Sequence, residues 1–147
     1  MHVIFLAPHF PAGQRRFLKA LKSVGATVTG IVDTPLSHID SEVKGMLDFA
    51  EVIDNVTSEH QVYEAVRRIQ DRGPWVHRLE ATIEAHVLTA ARVRERTAIP
   101  GTSYETVNRC RDKVIMKTFL KEHGIPSAAH RGVETPNEAR QFANDIG

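Results

Sequence analysis

The sequence predicts an α/β domain built on a parallel sheet with helices on both faces. Two observations carry this. Short runs of β-branched and apolar residues alternate with segments whose apolar residues recur at helical spacing, in four strand–helix units before residue 100. The first run, His2 to Ala7, is apolar almost throughout, which marks a strand covered on both faces.

Taken in order, the first strand ends at Pro8 and Pro11. Phe17, Leu18, Leu21 and Val24 then mark a helix that Gly25 stops. Thr27 to Val32 is the second strand, closed by Asp33 and Pro35. Ile39, Val43, Met46 and Leu47 mark a second helix, and Glu51 to Asn55 a third strand. Ser58 and Gln61 have capping-box spacing ahead of a helix carrying Val62, Ala65, Val66 and Ile69, which Gly73-Pro74 breaks. Trp75 to Leu79 reads as a weaker strand, and Ile83, Val87, Leu88 and Ala91 as the helix after it. Parallel strands joined by right-handed crossovers present their C-terminal ends along one edge, where ligands gather. That edge holds Pro8-His9-Phe10, Asp33-Thr34, Asn55-Val56 and Glu80.

The pattern changes after Ile99-Pro100-Gly101. Thr102 to Cys110 predicts a short helix, and Asp112 caps another that runs through Glu122. Ala128 to Val133 predicts a strand, and Thr135-Pro136-Asn137-Glu138 opens a last helix with a capping box. The reading is therefore a first domain over 1–103, then linker helices and an incomplete second domain over 104–147.

Composition narrows the function. With 147 residues and 41% hydrophobic content, the chain can build a core. Lys plus Arg is 19 and Asp plus Glu is 18, so the balance of +1 gives no electrostatic footprint for nucleic acid. No apolar run approaches the ~20 residues of a membrane span. The one cysteine, Cys110, excludes an internal disulfide and fits a reduced, cytoplasmic setting.

Four chemistries are weighed on the residues. Asp33 ends the second strand as a ribose-binding acid would, but the turn after the first strand has one glycine and two prolines, against a dinucleotide fingerprint. The eight histidines are scattered and read mostly as surface or strand-edge residues, with no metal-binding spacing. Cys110 lies between Arg109 and Arg111, inside a helix and without a local histidine, and reads as structural. The fourth is Asn108 to Lys117. Lys113 stands at the first position of the helix that Asp112 caps, where the dipole disfavours a cation unless an anion lies between. Lys117 follows one turn later on the same face.

An ordered set of residues then carries a resemblance. Glu80, an Ala-rich helix, Ile99-Pro100-Gly101, Asp112-Lys113, Met116-Lys117, Leu120 and Gly124-Ile125-Pro126 resemble the start of ATP-grasp ligases, in the amino-acid-ligase and biotin-carboxylase-like branch. The resemblance covers essentially the whole chain. It implies a pre-ATP-grasp domain of Rossmann-like shape, then the start of the ATP-grasp module. It implies ATP and magnesium as cofactors, and a carboxylate activated as an acylphosphate for attack by an amine or other nucleophile. Lys113 would contact the ATP phosphates, with a lesser role for Lys117, and Glu80 would lie on the substrate side. Dimers are common in the family.

The resemblance also implies that the family's second phosphate-binding lysine, glycine-rich loop and magnesium carboxylates follow Gly147, so that the chain looks cut. No catalytic residue or metal ligand is then expected in the chain. One lysine near the surface supplies at most ~4 kcal/mol, whereas micromolar ATP binding needs about 8 kcal/mol. The chain alone is expected neither to turn over nor to bind ATP tightly. Val114, Ile115, Phe119, Leu120 and Phe142 are expected to face absent elements or a partner. The alternative reading is a stand-alone α/β module that binds a small metabolite at Glu80 and the Pro8–Phe10 loop.

Overall fold

The computed structural model describes residues 1–147 and divides into two compact units, Met1–Tyr104 and Glu105–Gly147. In the first unit, strands β1 (His2–Leu6), β2 (Thr27–Val32), β3 (Phe49–Val52) and β4 (Arg78–Glu80) form one parallel sheet in the order β3-β2-β1-β4. The connecting helices are α1 (Arg15–Ser23), α2 (Ser41–Met46) and α3 (Glu59–Arg72), and α4 (Glu84–Arg96) follows β4. The parallel α/β fold expected from the sequence is the fold observed.

Alternation along the strands explains the two layers. Val3, Phe5, Val28 and Val32 point to one face, where they pack with Leu18 and Val43 from α1 and α2. Ile4, Leu6, Ile31 and Leu79 point to the other, against Val62, Val66, Ala90 and Val93 from α3 and α4. Gly25, at φ +70°, turns the chain out of α1 into β2, a conformation that a Cβ would strain.

Several expectations are corrected. The third strand is Phe49–Val52 rather than Glu51 to Asn55, and the fourth starts at Arg78 rather than Trp75. Both are edge strands, so half-exposed residues replace the clean apolar signal. Phe49 is 59% exposed and Trp75 is 65% exposed. Phe17 and Val24 also face outward, leaving Leu18 as the buried residue of α1. The Ser58 box is half made. Ser58 accepts the Gln61 N–H, but the Gln61 side chain instead takes the amides of Asp54 and Asn55 at 3.0 Å each.

The second unit holds α5 (Tyr104–Arg111, entered from the first unit), α6 (Lys113–Glu122) and α7 (Pro136–Ile146). The capping box of α7 forms in full around Thr135 and Glu138. The strand expected at Ala128–Val133 does not form. A strand needs a neighbour to take its amides and carbonyls, and all four strands lie in the other sheet. No residue from 105 to 147 is buried. Val114 and Ile115 are exposed, while Phe119, Leu120 and Phe142 are half-covered.

Candidate functional site

In the order β3-β2-β1-β4, α1 after β1 packs on one face of the sheet and α4 after β4 on the other. The crevice outside the C-terminal ends of β1 and β4 is the ligand position of such sheets. Glu80 closes β4 there, opposite Phe5 of β1, and is half-buried.

Around this edge the tertiary structure gathers residues that spacing alone did not. His9 Nε2 lies 3.1 Å from Thr34 Oγ1 and 3.6 Å from Asp33 Oδ1. His86, in the first turn of α4, is only 8% exposed. The Nδ1 atoms of His9 and His86 are both buried without a partner. Thr82 donates its hydroxyl to Gln14 Oε1 at 2.7 Å, tying the start of α4 to the start of α1. The reading of the histidines as mostly surface or strand-edge groups is therefore corrected for His2 and His86, both buried. Their positions within a strand and a helix turn were legible; the elements that cover them were not. No group of three or more His, Cys, Asp or Glu side chains comes together to hold a metal ion.

Burial pulls both imidazoles below the ordinary histidine range, and Asp33 offsets part of this. A depressed histidine favours the neutral folded form, so the unfolded chain takes up protons first as pH falls. Stability is full above about 6.5, the unfolded value, and falls as pH drops from there toward the lower folded values. Urea midpoints measured at pH 7.5 and 5.5 are expected to be lower at 5.5. The His9→Gln/His86→Gln double variant is expected to lose most of that difference. An undiminished difference in the double variant would exclude these two histidines as its source.

The backbone behind Glu80 is held by Arg94. This guanidinium is 6% exposed and donates from Nη1 to Leu79 O and from Nη2 to Thr102 O, both at 2.8 Å. A Cβ on Gly101 would lie 2.6 Å from Arg94 Cδ, so glycine is required for the arginine to pass. Glu95 accepts the Tyr104 amide at 2.7 Å, and Arg92 meets the Tyr104 hydroxyl at 2.9 Å. Three residues of α4 thus strap the chain segment that follows it.

In the second unit, Asp112 caps α6 as expected and accepts two amides, those of Val114 and Ile115, each at 2.9 Å. Its carboxylate occupies the place where an anion would meet the helix dipole. Any anion held here depends on the Lys113 side chain more than on backbone donors. Lys113 is exposed at the first position of α6. Lys117 is half-buried and its Nζ lies 3.5 Å from Ala128 O. Cys110 is an exposed free thiol.

No family model matches the chain. Over 81 residues it is 33% identical to the L-arginine-specific L-amino acid ligase of Bacillus subtilis, a match covering 55% of this chain and 19% of that one. Its fold matches phosphoribosylglycinamide synthetase from Anaerococcus prevotii with a TM-score of 0.72 at 18% identity, covering 98% of this chain and 34% of that one. It also matches an L-amino acid ligase from Bacillus licheniformis with a TM-score of 0.68 at 13% identity, covering 99% of this chain and 42% of that one. The chain has the N-terminal fold of the ATP-grasp ligases. It spans about a fifth of the curated relative and less than half of either structure. The ATP-grasp resemblance read from Glu80, Asp112-Lys113 and Gly124-Ile125-Pro126 is upheld at the level of fold. No helix is long and apolar enough to cross a membrane.

Proposed function

We propose that this chain is the N-terminal portion of an ATP-dependent carboxylate–amine ligase, or a related ligase, that acts through an acylphosphate. The observation that carries the reading is the 33% identity to an amino acid ligase, supported by the same fold in a second one. Residues 1–103 serve as the pre-ATP-grasp domain and 104–147 begin the nucleotide-binding module. Lys113 is the phosphate contact. Its exposed ammonium, on a helix start already capped by Asp112, is free to reach a ligand. Lys117 assists weakly, since its ammonium lies near the Ala128 carbonyl. Glu80 faces the substrate from the sheet edge. Mg-ATP and a small carboxylate are the partners of the full-length enzyme, and a homodimer is compatible with this reading.

The test uses the complete product of the gene. Amino-acid-dependent release of phosphate from ATP is the expected activity. Lys113→Ala is expected to lower kcat/KM about 100-fold, the loss typical of removing one donor from developing charge. The 147-residue chain alone, titrated calorimetrically with Mg-ATP, is expected to show no micromolar site. A reading frame that stops at Gly147, or full activity in Lys113→Ala, would overturn the reading.

A further inference from the structure

The edge of the sheet opposite the ligand edge holds a cavity that the ligase reading does not use. α3 runs back from the C-terminal edge, and its last turn ends beside β3 and the start of β1. A space of about 280 Å³ is left there. Phe49 and Ala50 of β3, Ile69 of α3 and Pro74 just after it give the space apolar walls. Its floor offers no polar handle. His2 and Thr29 lie there, both buried. A carbonyl only accepts, so His2 Nδ1 donates to Pro74 O at 3.2 Å. His2 Nε2 then accepts the Thr29 hydroxyl at 2.8 Å. Both hydrogens are spent inside the protein.

The handle lies at the rim, and it is positive. Glu51 and Arg72 line the cavity there. Both oxygens of Glu51 are engaged. Oε1 accepts from Arg72 Nη1 at 2.9 Å, and Oε2 accepts from Arg68 Nε and Nη2 at 3.3 Å each. Two guanidinium charges on one carboxylate leave the rim with a positive charge in excess. The two arginines are not equivalent. Arg68 spends its Nε–Nη2 edge on Glu51, whereas Arg72 gives Glu51 only Nη1. Arg72 Nε and Nη2 have no protein partner, and they form the pair of parallel donors that a carboxylate accepts.

We propose that this cavity binds a small carboxylate with an apolar tail. The tail packs against Phe49, Ile69 and Pro74, and the anionic head meets the free donor edge of Arg72. The volume exceeds the roughly 150 Å³ of a cavity that holds benzene, which leaves room for the head. This site is separate from the ligand edge that carries Glu80, and it stands whether or not the chain belongs to a ligase.

The experiment is an amide-resolved NMR titration of the 147-residue chain with phenylacetate and with phenylacetamide, which has the same ring and shape but no charge. Phenylacetate is expected to shift the amides of residues 50, 51, 69 and 73 saturably, with Kd about millimolar, as expected for so small a ligand. Phenylacetamide is expected to bind about fivefold more weakly, the scale of a solvent-exposed ion pair. Raising salt to about 0.5 M is expected to narrow that gap by screening. Arg72→Gln, at an exposed helix end, is expected to bring the two ligands within about twofold. Phe49→Ser, at an exposed position on the edge strand, is expected to weaken both several-fold. No saturable shift at these amides, binding centred elsewhere, phenylacetamide as tight as phenylacetate, or undiminished discrimination in folded Arg72→Gln would each overturn the proposal.

Discussion

Replacing Arg94 with alanine is expected to destabilise the α/β unit by about 3–5 kcal/mol. The guanidinium makes two 2.8 Å bonds to carbonyls, Leu79 O and Thr102 O. A hydrogen bond to a charged group contributes about 1.5–3 kcal/mol, and a buried acceptor left unsatisfied carries its own desolvation cost. Burial holds the Arg94 guanidinium below the usual arginine range, with Glu80 and Glu95 partly offsetting it. Its two terminal nitrogens are paired in that buried site, while Nε has no partner. Against a total stability of about 5–15 kcal/mol, the loss is large. Arg94→Lys keeps the charge but has no fork to reach two carbonyls, and is expected to recover less than half of it. Urea unfolding followed by far-UV circular dichroism measures the change. A loss below about 1 kcal/mol in Arg94→Ala would show that water replaces the arginine and that the strap is not structural.

Leu79→Ala is expected to cost about 2–5 kcal/mol, by lost burial and by the cavity left behind. Leu79 is 0% exposed and lies in the cluster of Ile4, Val76, Ala90 and Val93. β4 is only three residues long, so one side chain supplies most of its anchorage. The two variants act on one segment, since Arg94 binds the carbonyl of Leu79 itself. The double variant is expected to lose less than the sum of the singles, by about 0.5–3 kcal/mol. Exact additivity would mean that the strap and the core hold β4 independently. Hydrogen exchange at the amides of residues 79–81 gives a second view of the same coupling. Because Glu80 is carried on that strand, its position at the sheet edge depends on both contacts.

How much was legible depended on how local the cause was. β2 is observed at Thr27–Val32 as expected, and β1 to within one residue, because central strands write their burial into continuous apolar runs. The edge strands β3 and β4 were displaced in the reading, since Phe49 and Val52 on one and Arg78 on the other are exposed. The N-cap at Asp112 and the box at Thr135 formed because their partners lie within three residues. Ser58 formed half of its box because Gln61 found better partners in Asp54 and Asn55. Lys113, Lys117 and Glu80 were proposed from ordered motifs. Arg94, His86 and the His2–Thr29 pair were not, because their surroundings come from residues 15 or more positions away or from other elements.

By itself, then, the sequence determined the alternation of strands and helices, the parallel sheet, the helix caps and the order of motifs that points to an ATP-grasp ligase. The alternation and the caps follow from spacing of two to four residues or from apolar runs, and the ATP-grasp pointer from a resemblance in the order of motifs between Glu80 and Pro126. Only the tertiary structure decided which strands are edges, which histidines lose their water, where Arg94 finds its two carbonyls, and that Ala128 to Val133 has no strand to pair with. Each of those is a property of which groups meet, and burial and hydrogen-bond satisfaction are settled only when they do.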